Sequence, residues 1–227
     1  MGGNNSGRED SLWNVGNHRI SHFAIHASNR IGFPRNFTLS QQSPENREPI
    51  PFIMTEQIVL GGGCFWCVEG AMLGLRGVSE VVPGYSGGHI DNPTYEQVCG
   101  KRTGHAEVVR VTFDPEIIPQ RILLEVFFTV HDPTQLNRQG NDIGPHYRSC
   151  VFYSNEEQRM DVEHVMEYVQ QNYVDDIVTE VSPLGKFWIA ENYHHDYFAN
   201  NPRNPYCQAV VSPKIAKTRS KHAHLYE

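Results

Sequence analysis

Residues 60–70 read LGGGCFWCVEG, and this stretch decides how we expect the rest of the chain to be arranged. The apolar run at residues 57–60 predicts a buried strand, and Val68, Met72 and Leu75 follow at helical spacing. The cysteine after the three glycines is therefore expected where a strand turns into a helix.

That cysteine is Cys64. Glycines permit close backbone approaches, and the start of a helix offers unpaired N–H groups and the positive end of the helix dipole. Both features favour a thiolate at Cys64. The alternative is a buried, inert cysteine that only fills space. We take a reactive thiol at Cys64 as the working hypothesis.

Composition limits the classes of protein to which the chain can belong. Its 227 residues are enough to bury a core, and five cysteines in no compact framework favour a reducing compartment, so we expect a cytoplasmic protein. A net charge of −7 predicts no general attraction to nucleic acid or acidic membranes. No apolar run approaches the roughly 20 residues of a membrane-spanning helix, which predicts a soluble protein.

The chain divides into three parts by composition. Residues 1–53 are rich in Gly, Asn, Ser, Arg and Pro and predict an irregular or disordered extension. Residues 54–214 alternate strand and helix patterns, which predicts one catalytic domain of the α/β or α+β class. Residues 215–227 form a tail whose first part, with Lys214, is locally basic and is expected to be a solvated surface.

Glu107 begins a strand pattern over residues 107–113 and lies in line with its apolar face. A buried carboxylate is costly to desolvate, so the pKa of Glu107 should rise, and the group could stay protonated near neutral pH. The alternative is a glutamate at a strand end that reaches solvent or pairs with an arginine.

Cys64 and Cys67 form a Cys-x-x-Cys motif, which serves as a redox pair, as half of a zinc site, or in packing. A zinc site usually needs a second close pair of ligands. The nearest candidates, His194 and His195, are adjacent rather than at ligand spacing, so no metal is expected.

The two residues inside the motif are Phe65 and Trp66. A thioredoxin-like disulfide exchanger normally has proline or small residues there, whereas two bulky aromatics favour the walls of a small hydrophobic substrate pocket. A disulfide exchanger, or a redox-sensing protein that uses the same two cysteines, remains the alternative.

A thiolate that attacks an electrophilic centre carrying an oxygen needs a proton donor for that oxygen and hydrogen-bond donors to hold it. Glu107 is the candidate acid, and Tyr95 and Tyr147, both in predicted loops, are the candidate hydroxyl donors. The alternative for the tyrosines is ordinary, partly buried aromatic packing.

Seven short motifs follow one another along the chain: Gly63-Cys64-Phe65-Trp66, Pro83-Gly84-Tyr85-Ser86-Gly87-Gly88, Asn92-Pro93-Thr94-Tyr95, Gly104-His105-Ala106-Glu107, His131-Asp132-Pro133, Arg138-Gln139-Gly140-Asn141-Asp142 and Arg148-Ser149. Together they resemble the peptide-methionine sulfoxide reductase A family over residues 56–214. The resemblance implies an α+β sandwich: a mixed β-sheet with flanking helices, a ferredoxin-like core, long functional loops and a coil-rich C-terminal tail.

The resemblance also implies an activity, the reduction of the S-epimer of methionine sulfoxide, free or in proteins, without a cofactor. By its motifs, the resemblance implies that Cys64 attacks the substrate sulfur and that Glu107 protonates the sulfoxide oxygen, which Tyr95 and Tyr147 hydrogen-bond. It implies that Phe65 and Trp66 hold the S-methyl group of the substrate. It implies that Asp142 orients the site or contacts the substrate backbone. A resolving thiol then forms a disulfide with the Cys64 sulfenic acid, and thioredoxin reduces it. A monomer is expected, with no nucleic-acid or membrane partner.

The chain departs from the family pattern in two places. It has Gly144-Pro145-His146 where the family commonly has Gly-Thr-Gln, and Cys67 where the family has glycine. The resolving thiol is therefore either Cys207, which follows a tyrosine in the tail, or the nearby Cys67, and we favour Cys207. The two other cysteines are expected to be structural: Cys150 because it lies in a strand pattern, and Cys99 because its motif contains no charged neighbour.

Overall fold

The computed structural model describes residues 54–227, and the predicted extension at residues 1–53 lies outside them. The strands are β1 (Glu56–Gly62), β2 (Val78–Ser86), β3 (Ala106–Phe113), β4 (Arg138–Gln139), β5 (Asp142–Ile143), β6 (Ser149–Tyr153), β7 (Glu180–Pro183) and β8 (Trp188–Ile189). The α-helices are α1 (Phe65–Met72), α2 (Tyr95–Cys99), α3 (Gln120–Val130), α4 (Glu156–Gln170), α5 (Tyr197–Asn200) and α6 (Ser212–Lys221). Within residues 54–227, no helix is long and apolar enough to cross a membrane.

Six strands form one sheet in the order β7-β6-β1-β3-β2-β8. Strand β1 is central: Leu60 pairs with Val109 on β3, and Gly61 pairs with Cys150 on β6. The pairings are antiparallel except for β6 with β7, which is parallel, so the sheet is mixed as predicted. When α2, β4 and β5 are set aside, the elements from β1 to β6 follow a β-α-β-β-α-β order, and the ferredoxin-like core stays a prediction.

Glycines allow the end of β1 to pass close to its neighbours and turn into α1. A Cβ atom added to Gly61 would lie 2.6 Å from the Cys150 sulfur. Gly63 has φ +88°, and a Cβ atom there would lie 2.8 Å from the Gln139 side chain. Both positions therefore favour glycine, and the tight turn sets Cys64 directly before the helix.

Helix α1 is almost entirely buried because it packs against β1, α3 and α6. On α3, the side chains of Leu123, Leu124, Val126 and Phe127 are fully buried and supply its apolar face. This packing holds the start of α1 rigidly at the edge of the core.

The expectation of a coil-rich C-terminal tail is wrong, whereas the basic residues Lys217, Arg219 and Lys221 are exposed as predicted. A π-helical turn at Cys207–Val211 runs directly into α6. Ile215 and Thr218, one helical turn apart, are buried, and a Cβ atom on Gly70 of α1 would overlap the Ile215 side chain. The basic residues lie on the opposite side of this amphipathic helix from its buried apolar residues. Because basic residues dominate the composition of the segment, composition alone does not reveal the apolar face.

Candidate active site

Cys64 is the residue immediately before α1, so the predicted strand-to-helix junction is confirmed. Its side chain is 5% exposed, and its carbonyl accepts a hydrogen bond from the Cys67 backbone N–H at 3.0 Å. Cys67 is fully buried in the first turn of the helix. The two sulfur atoms therefore lie next to each other at the start of α1.

The expected thiolate at Cys64 is wrong for the substrate-free protein. Burial raises the pKa of the Cys64 thiol well above its usual value, and its hydrogen bond with the Cys67 thiol raises it further. The pKa of Cys67 is lowered by that same hydrogen bond and, against the opposing effect of burial, by the charge of Lys214. These effects disfavour ionisation of Cys64 and favour ionisation of Cys67.

Glu107 lies on β3 opposite Tyr85 and is 1% exposed. Its Oε2 atom accepts a hydrogen bond from the Phe65 backbone N–H at 3.2 Å. Burial raises the pKa of the carboxyl well above its usual value, and the nearby Cys64 sulfur adds to the rise. The predicted rise in pKa is confirmed, and the alternative of a solvent-exposed strand end is wrong.

Tyr95 and Tyr147 approach the Glu107 carboxyl from two different segments of the chain. Tyr95 begins α2, which Thr94 and Gln97 cap reciprocally. Tyr147 ends a 3₁₀ turn that starts at Pro145. Burial raises the pKa of both hydroxyls, so the two tyrosines remain hydrogen-bond donors.

Phe65 and Trp66 have different surroundings. Phe65 is 1% exposed, and its ring centroid lies 4.8 Å from that of His194. Trp66 is partly buried and stacks on Tyr197 at 3.7 Å with an interplanar angle of 5°. Its Nε1–H donates to His194 Nδ1 at 3.2 Å, which fixes the orientation of the indole ring.

His194 and Glu191 are site residues that the sequence analysis missed. His194, weighed only as a zinc ligand, is 1% exposed and lies 4.6 Å, centroid to centroid, from Tyr95. Glu191 accepts hydrogen bonds from the Tyr95 backbone N–H at 2.9 Å and from the Tyr85 hydroxyl at 2.8 Å. No local pattern marks these two residues, because their partners lie about 100 residues earlier in the chain.

The tail closes one side of the site. The Tyr206 hydroxyl donates to Asp142 Oδ2 at 2.6 Å and lies near the Cys64 sulfur. Cys207 follows, is buried, and its thiol pKa is raised by burial. All five cysteines are free thiols, and the structure brings three of them, Cys64, Cys67 and Cys207, to the start of α1.

The two cysteines expected to be structural have different positions. Cys150 is buried in β6 against Gly61, in the sheet. Cys99 ends α2, and its sulfur lies within 4.8 Å of ligand atoms of Glu107 and His146. The fold thus brings polar groups from outside its sequence motif to Cys99, and the structural role expected of Cys99 stays a prediction.

The arrangement suits one kind of chemistry. It combines a buried thiol, a buried carboxyl with a raised pKa, two hydroxyl donors, an aromatic wall and two further thiols. A thiol with a proton donor beside it can take an oxygen atom from a substrate, and neighbouring thiols can then convert the oxidised sulfur to a disulfide.

Comparison with known proteins points the same way. The model of a family described as peptide methionine sulfoxide reductase matches residues 56–226, which extends past Lys214, where the resemblance was expected to end. A relative from Saccharolobus solfataricus, named peptide methionine sulfoxide reductase MsrA, is 54% identical over 162 residues, or 71% of this chain and 92% of that protein. A relative of the same name from Acinetobacter baumannii is 51% identical over 170 residues, or 75% of this chain and 98% of that protein.

Solved structures of similar proteins have the same fold. Mxr1 from Saccharomyces cerevisiae in its reduced form aligns with a TM-score of 0.64 and 32% identity, covering 67% of this chain and 89% of that chain. Methionine sulfoxide reductase A of Corynebacterium diphtheriae aligns with a TM-score of 0.61 and 35% identity, covering 66% of this chain and 76% of that chain. The predicted α+β class is confirmed by these similarities.

Proposed function

Because the chain belongs to the peptide methionine sulfoxide reductase family, and is an oxidoreductase, we propose that it reduces methionine-S-sulfoxide, free or in proteins, with Cys64 as the nucleophile. One observation carries the proposal. The buried carboxyl of Glu107, kept protonated by its raised pKa, is hydrogen-bonded at 3.2 Å to the backbone N–H of the residue after Cys64. Nucleophile and acid are thus held together at the start of one helix.

In the first step, the Cys64 sulfur attacks the substrate sulfur. The Cys64 thiol gives up its proton in this attack, and that proton restores the Glu107 carboxyl after Glu107 has protonated the sulfoxide oxygen. Glu107 protonates the sulfoxide oxygen while Tyr95 and Tyr147 hydrogen-bond it. The substrate loses its sulfur–oxygen bond and leaves as methionine, reduced by two electrons, and Cys64 becomes a sulfenic acid, oxidised by two electrons.

Substrate recognition uses the aromatic wall. Phe65 and Trp66 would hold the S-methyl group, and the hydrogen bond from Trp66 to His194 would keep the indole in place. Asp142, at the other side of Cys64, would orient the site or contact the substrate backbone. Its partner Tyr206 also lies near Cys64, so substrate binding and tail position are linked.

A second thiol completes the cycle. It condenses with the Cys64 sulfenic acid, water leaves, and a disulfide forms. We favour Cys207 as the thiol that resolves the sulfenic acid directly or receives the disulfide from Cys67, because the Tyr206–Asp142 hydrogen bond docks the tail beside Cys64. Thioredoxin would then return the two electrons.

The setting of the enzyme follows from this cycle. The proposed cycle needs no residue from a second copy of the chain, and we propose a monomer. Its thiols must be reduced again after each turnover, which suits a reducing compartment such as the cytoplasm. In that compartment the enzyme would repair oxidised methionine.

A single-turnover experiment tests the function. Fully reduced protein is mixed with excess methionine-S-sulfoxide without an external reductant, methionine is quantified, and disulfides are mapped by mass spectrometry. We expect at least one methionine per chain and a disulfide that ends on Cys207. Cys64→Ser should form no methionine, whereas Cys150→Ala, which removes a thiol outside the site, should still react.

The outcomes separate the parts of the proposal. No methionine from the wild-type chain, or full activity of a folded Cys64→Ser variant, would reject the function. If a Cys64–Cys67 disulfide forms and persists and no disulfide to Cys207 appears, the proposed sulfoxide reduction stands. In that case Cys207 and the tail take no part in the cycle.

A further inference from the structure

Cys99, Glu107 and His146 form a cluster of three different metal-binding groups. They come from the end of α2, from β3 and from the 3₁₀ turn before β6. One sulfur, one carboxylate oxygen and one imidazole nitrogen lie within 4.8 Å of one another. Glu107 and His146 are buried, and Cys99 is half-buried.

His146 is the member of the cluster that has no evident structural task. Its side chain is 3% exposed, and its Nδ1 atom has no hydrogen-bond partner among residues 54–227. The ring lies against Gly144, where an added Cβ atom would come within 2.6 Å of Nδ1.

We propose that Cys99, Glu107 and His146 bind Zn²⁺ and that the bound metal inhibits the reductase. Thiolate, imidazole and carboxylate are the ligand types of zinc, and three protein ligands leave a fourth position open. The inhibitory part rests on the proposed function, because it requires Glu107 to be the proton donor. Zinc would occupy that carboxyl and prevent it from protonating a sulfoxide oxygen.

The geometry needs only a small adjustment. The centre of a triangle with sides of 4.8 Å is about 2.8 Å from each corner, so ligand atoms move inward by at most roughly 0.8 Å to reach zinc bonds of about 2.0–2.3 Å. Side-chain rotation of the half-buried Cys99 supplies movement of this size.

The charges also balance. On binding, the Cys99 thiol and the Glu107 carboxyl each release a proton to solvent, and the neutral His146 releases none. One thiolate, one carboxylate and Zn²⁺ sum to zero net charge. A buried complex without net charge avoids the large desolvation cost of an isolated ion.

Cobalt(II) is the probe for binding, because its thiolate complexes absorb in the near ultraviolet and visible regions. The thiols of Cys64, Cys67 and Cys207 would also bind it, so the full chain is used with these three residues replaced by serine. We expect one equivalent of cobalt to give a thiolate charge-transfer band. Cys99→Ser and His146→Gln, made in this background, should each abolish the band, and the matched control His164→Gln, an exposed histidine of α4, should retain it.

Inhibition is measured separately on chains that keep all five cysteines. The zinc concentration that halves the single-turnover rate is determined without thiol reductants, which would bind the metal. Each variant is compared with its own zinc-free rate. We expect His146→Gln to raise this concentration at least tenfold, and His164→Gln to leave it unchanged.

These readouts decide the proposal independently of the proposed function. Absence of the cobalt band, or its persistence in folded Cys99→Ser and His146→Gln variants, would overturn the site. A cobalt band together with an unchanged zinc response in His146→Gln would overturn the inhibitory role. Failure of sulfoxide reduction itself would reject the function and leave the cobalt result standing.

Discussion

Replacing Glu69 with glutamine should remove one defined part of the pH dependence of stability. Glu69 lies on α1, five residues after Cys64 and two after Cys67, and is 1% exposed. Its Oε1 accepts the Asp196 backbone N–H at 2.8 Å, and its Oε2 has no hydrogen-bond partner in the part of the chain that the structure describes. The nearby Arg219 donates instead to the backbone carbonyls of Gly70 in α1 and of Leu73, the residue that follows the helix.

The sign and size of the effect follow from the pKa. Burial, and to a lesser extent the charge of Asp196, raises the pKa of Glu69 from 4.5 to about 7. Between these two pH values the folded chain keeps the proton and the unfolded chain loses it, so the free energy of unfolding decreases as the pH rises. The full decrease from this group is at most about 3 kcal/mol, and it is complete above the folded pKa. Glutamine carries no such proton.

The assay is urea unfolding of reduced protein, followed by circular dichroism at several pH values between about 4 and 8.5. We expect the stability of the wild type relative to Glu69→Gln to decrease by up to about 3 kcal/mol between pH 4.5 and 7 and to be constant outside that range. Glu167→Gln, an exposed position on α4, is the matched control and should show a constant difference. A constant difference for Glu69→Gln as well would refute the reasoning.

Three further predictions concern catalysis and packing. Glu107→Gln should slow sulfoxide reduction by roughly 10²- to 10⁴-fold. Wild-type activity should fall as the pH rises through the raised pKa of Glu107, and the variant should not show this fall. An unchanged rate and pH profile would rule out the acid role. Gly61→Ala, whose Cβ would lie 2.6 Å from the Cys150 sulfur, should cost roughly 1–3 kcal/mol in urea unfolding, whereas Gly185→Ala, with nothing within 4 Å, should be close to neutral; equal stabilities would contradict the close approach. Leu123→Ala, at a fully buried position, should cost roughly 2–5 kcal/mol in the same assay, and a loss below about 1 kcal/mol would contradict its place in the core.

Local patterns were sufficient where neighbours in sequence are also neighbours in space. The junction at Cys64 was predicted because a strand, a glycine turn and a helix follow one another directly. The burial of Glu107 was predicted because a strand places alternate residues on one face, and the following apolar residues identified that face.

Local patterns failed where a residue acquires its environment from a distant segment. The thiolate expected at Cys64 rested on the glycine turn and the helix start, whereas burial raises the pKa of its thiol. The resemblance implied a coil-rich tail, but Ile215 in that tail packs on α1 and belongs to a helix. The neighbours of Cys99 were missed because His146 is 47 residues further along the chain.

The sequence by itself determined the class of fold, the family, and the identity of the residues with reactive groups, because these depend on motifs and on short periodic patterns. Only the tertiary structure decided the protonation of those groups and which of them meet. Desolvation and through-space contacts depend on everything that packs around a side chain, and here that packing joins β1, β3, the 3₁₀ turn before β6 and the C-terminal helix around one cysteine.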